Sequence, residues 1–181
     1  MKNFFLFLIL ITLISSCCTN KDTITYNFTT EEKAFLPYQA QTVIKWQNNN
    51  GDTFSGTTSD KTVSVKEISD YDCKSFESEE INIFVTINNE HYSISFEKRG
   101  PNNINLNISQ SVNGIPKRGF GVDVSHFGFT TIEFNNETFN DAIKLTAYGD
   151  EDVYLGTLIY SKTNGIEFIL FEDGTWYKRV E

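Results

Sequence analysis

The sequence predicts an all-β domain, an antiparallel meander that closes into a barrel, a half-barrel or a two-sheet sandwich, with one short helical turn near its N-terminus. Three observations carry this expectation. Apolar residues recur at period two through most of the chain. Asn and Gly punctuate it at the short intervals typical of hairpins. The chain of 181 residues is 39% hydrophobic and holds 16 Phe, 8 Tyr and 2 Trp, enough for one real core.

The first element is not part of that core. Lys2 precedes an almost unbroken apolar run from Phe4 to Ile14. As a helix this run is roughly 16 Å long at ~1.5 Å per residue, too short for a bilayer core of ~30 Å. It reads as the apolar region of an export signal. Ile14-Ser15-Ser16-Cys17 then resembles the bacterial lipobox, an aliphatic residue and two small residues before Cys. The resemblance implies a diacylglyceryl thioether on Cys17, cleavage after Ser16, and acylation of the new amine. Residues 1–16 are thus expected to be a signal peptide, residues 17–29 a lipidated polar tether, and residues 30–181 a single β domain. Two or three acyl chains hold a protein to a membrane where one does so marginally. Cys18 and Cys73 match no metal or redox motif, and their pairing in an oxidising compartment is open. Within the tether, Asp22-Thr23-Ile24 resembles the O-glycosylation sites that some bacteria use on exported proteins.

Thr30-Glu31-Glu32-Lys33 suits one helical turn with acids at its start, and Pro37 stops it. The clearest hairpin spans residues 81–98. Turning on Asn88-Asn89, which tolerate positive φ, it sets Ile87 against Glu90, Val85 against Tyr92, Ile83 against Ile94 and Ile81 against Phe96. A one-residue slip would spoil every pair. A loop at Asn49-Asn50-Gly51 sets Trp46 opposite Phe54. Asp173-Gly174 as a two-residue turn sets Phe171 against Trp176 and Leu170 against Tyr177. Asn164-Gly165 sets Ile159 against Leu170. Ile104, Leu106 and Ile108 alternate with Asn and Ser, giving one wet face. Between Phe129 and Ile132 the apolar phase shifts, which suggests a bulge. Residues 153–161 and 166–172 are apolar on both faces, so both faces should be covered. About ten to twelve short strands follow.

Composition and charge narrow the function. The formal charge is −9, and loss of Lys2 with the signal makes it one unit more negative. Nucleic-acid binding wants clustered cations, so no nucleic-acid partner is expected. An acidic body is not drawn to anionic lipid, which leaves the acyl chains as the membrane link.

Two stretches resemble a group of uncharacterised small bacterial lipoproteins. Leu36-Pro37-Tyr38, Gln41-Thr42-Val43 and Asn50-Gly51-Asp52-Thr53 are similar to its aromatic "LPY" and first hairpin. Ile159-Tyr160-Ser161-Lys162, Gly165-Ile166, Phe168, Gly174 and Trp176 resemble its closing hairpin. Phe139-Asn140-Asp141-Ala142 resembles a further strand, with Phe139 in place of Tyr and Ala142 in place of Val. The match covers about a third of the chain. The closing pattern also looks like that of periplasmic lipid-handling half-barrels. The group implies an envelope location and no particular activity.

Candidate chemistry is sparse. His91 lies beside the Asn88-Asn89 turn and reads as a solvated turn residue. Asp123, Ser125 and His126 are too close in sequence to form a triad, whose members converge from separate elements. Two distant His and one spare Cys do not suit zinc. The acidic groups at 70–72, 77–80 and 149–152 lack the spacing of a calcium loop, so no metal and no cofactor is expected. Ile115-Pro116-Lys117-Arg118-Gly119-Phe120-Gly121 reads as a loop with two cations in an acidic protein. Loops on a rigid scaffold often carry binding residues. Lys117, Arg118 and Phe120, joined by Lys98 and Arg99 if the loops converge, are therefore the candidate ligand or partner contacts. The expected function is non-catalytic binding of an apolar ligand by a lipid-anchored protein on the periplasmic or cell-surface side of the bacterial envelope. A protein-interaction or structural module and a hydrolase are the alternatives.

Overall fold

The computed structural model describes residues 22–71, 74–148 and 153–180. Cys17, Cys18, Cys73 and the acidic residues 150–152 lie outside them. The described residues are all-β, a strongly curled half-barrel with two short helical turns. Thirteen strands follow in chain order: β1 (Asp22–Tyr26), β2 (Val43–Asn48), β3 (Thr53–Thr58), β4 (Thr62–Tyr71), β5 (Lys74–Ile87), β6 (Glu90–Gly100), β7 (Asn103–Val112), β8 (Ile115–Asp123), β9 (Thr130–Phe134), β10 (Glu137–Tyr148), β11 (Tyr154–Ser161), β12 (Gly165–Phe171) and β13 (Trp176–Arg179). The helical turns are α1 (Thr30–Lys33) and α2 (Val124–Phe127). The main hydrogen-bonded path runs β8-β7-β6-β5-β3-β2-β13-β12-β11-β10-β9, while off this path β1 and β4 each pair with β5.

Local turn chemistry sets much of this. Asn88 (φ 47°) and Asn89 (φ 64°) take the left-handed conformation of a two-residue hairpin turn. The four pairs expected between 81 and 96 are the observed register, as is Trp46 opposite Phe54. Ile83, Val85, Ile87, Tyr92, Ile94, Leu106 and Ile108 are fully buried on the concave face. The α1 turn carries a capping box, in which Thr29 Oγ1 accepts from Glu32 N–H and Glu32 accepts from Thr29 N–H.

Strand β5 is the spine. Its C-terminal half pairs β6 and β3, and its N-terminal half pairs β4 and, in parallel, β1. The segment read as a tether therefore joins the sheet from Asp22, and Phe28 is buried in the core.

Three register expectations are corrected. Leu170 faces Trp176 and Ile169 faces Tyr177. The turn there is longer by design: Phe171 N–H bonds Thr175 C=O, and Asp173 accepts from Thr175 N–H. Ile159 faces Phe168, because Gly165 lies in the ladder opposite Ser161 and a bulge follows at Ile159/Tyr160. Gly165 holds φ 76°, and a Cβ there would run into the Tyr38 ring. The phase shift near Phe129 is the α2 turn, ended by Gly128 at φ 67°; the bulge lies in β10, between Phe139 and Ala142.

That bulge folds the β9–β10 hairpin over the convex face of β11–β13. Phe139, Ile159 and Phe168 form a second small core there with Phe134 and Trp176. Phe168 stacks on Trp176 at 5.5 Å, and Lys178 Nζ meets Glu137 Oε1 at 2.6 Å. Both faces of β11 and β12 are thus covered.

The sheet's end strand β8 meets β11 and β12 through side chains. Arg118 Nε donates to Leu155 C=O at 2.6 Å, and its Nη1 to Gln110 Oε1 at 2.7 Å. The guanidinium also pairs with Glu172 and lies 5.0 Å from the Phe171 ring centroid. Gln110 donates in turn to Glu90 and Tyr92. Arg118→Ala should therefore lower unfolding stability by about 2–3 kcal/mol, the scale of losing charged hydrogen bonds. Urea denaturation checks this; an unchanged midpoint would mean that the seam contributes nothing.

Candidate functional site

The expected contact residues do not form one site. Residues 115–121 are not a loop: they belong to β8, with Pro116 and Lys117 exposed near its start. Phe120 is buried in the core, and Arg118 is spent on the seam. Lys98 faces Ile104 across the ladder, whereas Arg118 faces Gln110. The six residue steps along β7 from Ile104 to Gln110 amount to about 20 Å, so the two cation pairs lie at opposite ends of the strands. Arg99 projects outward, where its guanidinium holds the buried Glu97 carboxylate at 2.7 Å. The carboxylate-bearing stretch 77–80 is absorbed similarly. Glu80 accepts from Ser95 and pairs with Lys66 at 3.0 Å, and Glu79 is buried.

The residues near His126 have local partners. Asp123 caps α2 by accepting from Ser125 N–H, and Ser125 Oγ accepts from Ile104 N–H. His91 Nδ1 lies 3.2 Å from Thr86 Oγ1 beside the hairpin turn. Among the described residues no group of three or more His, Cys, Asp or Glu is arranged to hold a metal ion. Nor is any described helix long and apolar enough to cross a membrane.

The recess that does stand out lies at the rim where the N-terminal segment crosses the half-barrel. Residues 27–41 run over the mouth of the concave face. Leu36 and Tyr38 sink into the core. Polar ties fix the rest of the segment. Glu79 accepts from Phe28 N–H at 2.8 Å and pairs with Lys33 at 2.8 Å. Glu32 pairs with the buried Lys98, which also donates to Pro101 C=O at 2.8 Å. Tyr160 OH donates to Phe35 C=O at 2.9 Å, and Lys61 donates to Leu36 C=O at 2.7 Å.

Between this segment and the β6–β7 turn lies an open groove of about 1020 Å³, walled by Tyr26, Asn27, Glu31, Phe35, Asn102 and Lys162 among others. A smaller recess of about 330 Å³ adjoins it, sharing Glu32, Phe35, Asn102 and Lys162 and adding Ile104, Val124 and Phe129. Three elements meet at the junction. Phe35 and Phe129 lie 5.3 Å apart, and Lys162 Nζ sits 4.8 Å from each ring centroid. The ring quadrupoles attract the ammonium and hold it at the junction. Among the described residues no carboxylate lies within 4 Å of it. The junction thus offers apolar walls and one cation side by side.

Sequence reasoning missed this site. Lys162 was legible only as part of a turn, and Phe35 and Phe129 are far apart in the chain. The signal within reach was the Phe35–Leu36–Pro37–Tyr38 run after a helical stop, too apolar for a free surface loop.

No protein-family model, curated protein or solved structure matches this chain.

Electrostatics ties the groove wall to pH. Burial raises the Glu32 carboxyl, but hydrogen bonds from Lys98 and Thr29 and the Lys98 charge outweigh it, so Glu32 lies below its ordinary value of 4.5. A carboxylate lowered by folding adds stability above its unfolded value, and that stability is lost as pH falls through the folded value. Wild type should therefore exceed Glu32→Gln in stability at about pH 7, with the gap closing as pH falls through the lowered value of Glu32. Thermal melts across this range check it; a gap that persists in acid would contradict the pairing.

Proposed function

We propose that this chain is a lipid-anchored, non-catalytic binding protein of the bacterial envelope, akin to the small uncharacterised lipoproteins that its LPY and closing-hairpin motifs resemble. Its anchor is Cys17, and its ligand is a small amphipathic molecule seated in the rim groove. The observation that carries the reading is the groove itself, with Lys162 set between Phe35 and Phe129. Recesses of this size, with apolar walls and a few placed polar groups, are typical of small-molecule sites.

Two further features support it. The concave face is filled by Trp46, Tyr92, Phe96 and Tyr160, all essentially inaccessible, which directs a ligand to the rim. The wall residues Thr25, Tyr26 and Asn27 follow closely on Asp22, and the stretch from Cys17 to Asp22 spans at most about 17 Å when extended. An acylated Cys17 would hold the groove close to the bilayer and its amphiphiles.

Native mass spectrometry of the gently extracted full chain tests this reading. The expected mass includes acyl groups on Cys17 and a noncovalent small molecule, and Phe129→Ala should shed the latter. A chain with acyl mass alone would refute the ligand; palmitate labelling that survives Cys17→Ser would refute the anchor.

A further inference from the structure

We infer that β4 is a homotypic docking edge, through which two copies of this chain pair antiparallel about Ser64. Strand β4 runs ten residues, from Thr62 to Tyr71, and among the described residues it hydrogen-bonds β5 alone. Its other edge therefore presents unpaired backbone donors and acceptors, a template for a further strand. Every residue from Thr62 to Glu67 is exposed, on both faces of the strand. Val63 is 61% and Val65 51% exposed, although each sits in the sheet beside a buried neighbour, Ile81 and Glu79.

Edges are usually guarded by Pro, by a covering element or by free lysines. Residues 62–71 contain no Pro. The one lysine among them, Lys66, is turned back onto its own domain, where its Nζ lies 3.0 Å from Glu80 and 3.8 Å from Glu97.

The sequence of the edge says what it fits. A two-fold axis normal to the sheet keeps each residue on its own face, so opposed residues must have numbers of the same parity. On one face the edge reads Lys61, Val63, Val65, Glu67. Reversed about Ser64, this row meets Glu67, Val65, Val63, Lys61 of the second copy. Each Val opposes a Val, and each Lys opposes a Glu. On the other face Thr62 meets Lys66 and Ser64 meets its mate. Opposite charges and β-branched pairs across strands are favourable, and like charges are not. Shifting the centre to Val65 sets Val63 against Glu67, and shifting it to Lys66 sets two lysines face to face. One register alone among these satisfies both the apolar and the charged pairs. A single-edge contact is a small interface, so pairing should be reversible and concentration-dependent.

Cysteine crosslinking of the full chain in cell membranes tests the edge. Ser64→Cys places two thiols opposite each other, and copper-catalysed oxidation by oxygen converts them to a disulfide with loss of two protons and two electrons. Thr62→Cys is the control, because its mate lies four residues away along the ladder. We expect a dimer band at least tenfold stronger for Ser64→Cys than for Thr62→Cys or the parent with its native cysteines. Adding Glu67→Lys to Ser64→Cys should remove the band, and the double swap Lys61→Glu with Glu67→Lys should restore it. Equal bands for the two cysteine positions would overturn the proposal. So would a Ser64→Cys band that Glu67→Lys leaves unchanged while the circular dichroism shows a folded chain.

Discussion

The constraint on which this structure depends is an open sheet that buries one face. The eleven-strand path ends at β8 on one side and β9 on the other, and these two strands do not pair. Curling brings the concave side chains together, but an unclosed sheet leaves its mouth wet. The chain meets this with the segment from residue 27 to 41. Leu36 and Tyr38 supply apolar cover, and the ties to Glu79, Lys98, Tyr160 and Ile166 satisfy the polar groups it carries inward. Buried charge on this scale is tolerable because each ion is paired and hydrogen-bonded.

The same solution creates the recess. A covering segment held by long side chains cannot fill the rim as tightly as a strand would, and the space left between α1 and the β6–β7 turn is the groove. Its two rings and its cation come from the end of α1, the α2–β9 connection and the β11–β12 turn. Function, on this view, follows from how the half-barrel is closed. The spine β5 adds the second consequence. A strand long enough to serve both the barrel and the β1–β4 wing carries β4 beyond the core, where among the described strands it has a neighbour on one side only.

The fold is legible in the sequence where information is local. The 81–98 hairpin is specified by two Asn residues and an alternation whose every pair agrees, so its register was legible to the residue. The double-faced strands were legible for the same reason, since period two fails there conspicuously. Legibility ends where one residue's backbone conformation decides. Asp173 draws Thr175 into the turn and shifts Trp176 by one place, and Gly165 enters a ladder because Tyr38 needs the space above it. Pro116 and two glycines disguised β8 as a loop, and the isolated cations there suggested binding. Arg118 instead answers to Leu155 and Glu172, which sequence proximity gives no hint of. The groove was invisible because its parts are assembled from three separate turns.

Tyr38 is where the covering segment is tied most deeply. Burial pushes its phenol well above the ordinary value, so it stays protonated, and its oxygen accepts the Ile166 N–H at 2.6 Å. Amide hydrogen exchange at Ile166, read by NMR in the full chain and in Tyr38→Phe, tests the account most directly. If residues 27–41 close the half-barrel, the wild-type amide exchanges only with global unfolding. The Phe variant then exchanges at least about tenfold faster and loses about 1–3 kcal/mol of stability. A wild-type Ile166 that exchanges as freely as an exposed turn, or a variant indistinguishable from it, would contradict the claim that this segment holds the fold shut.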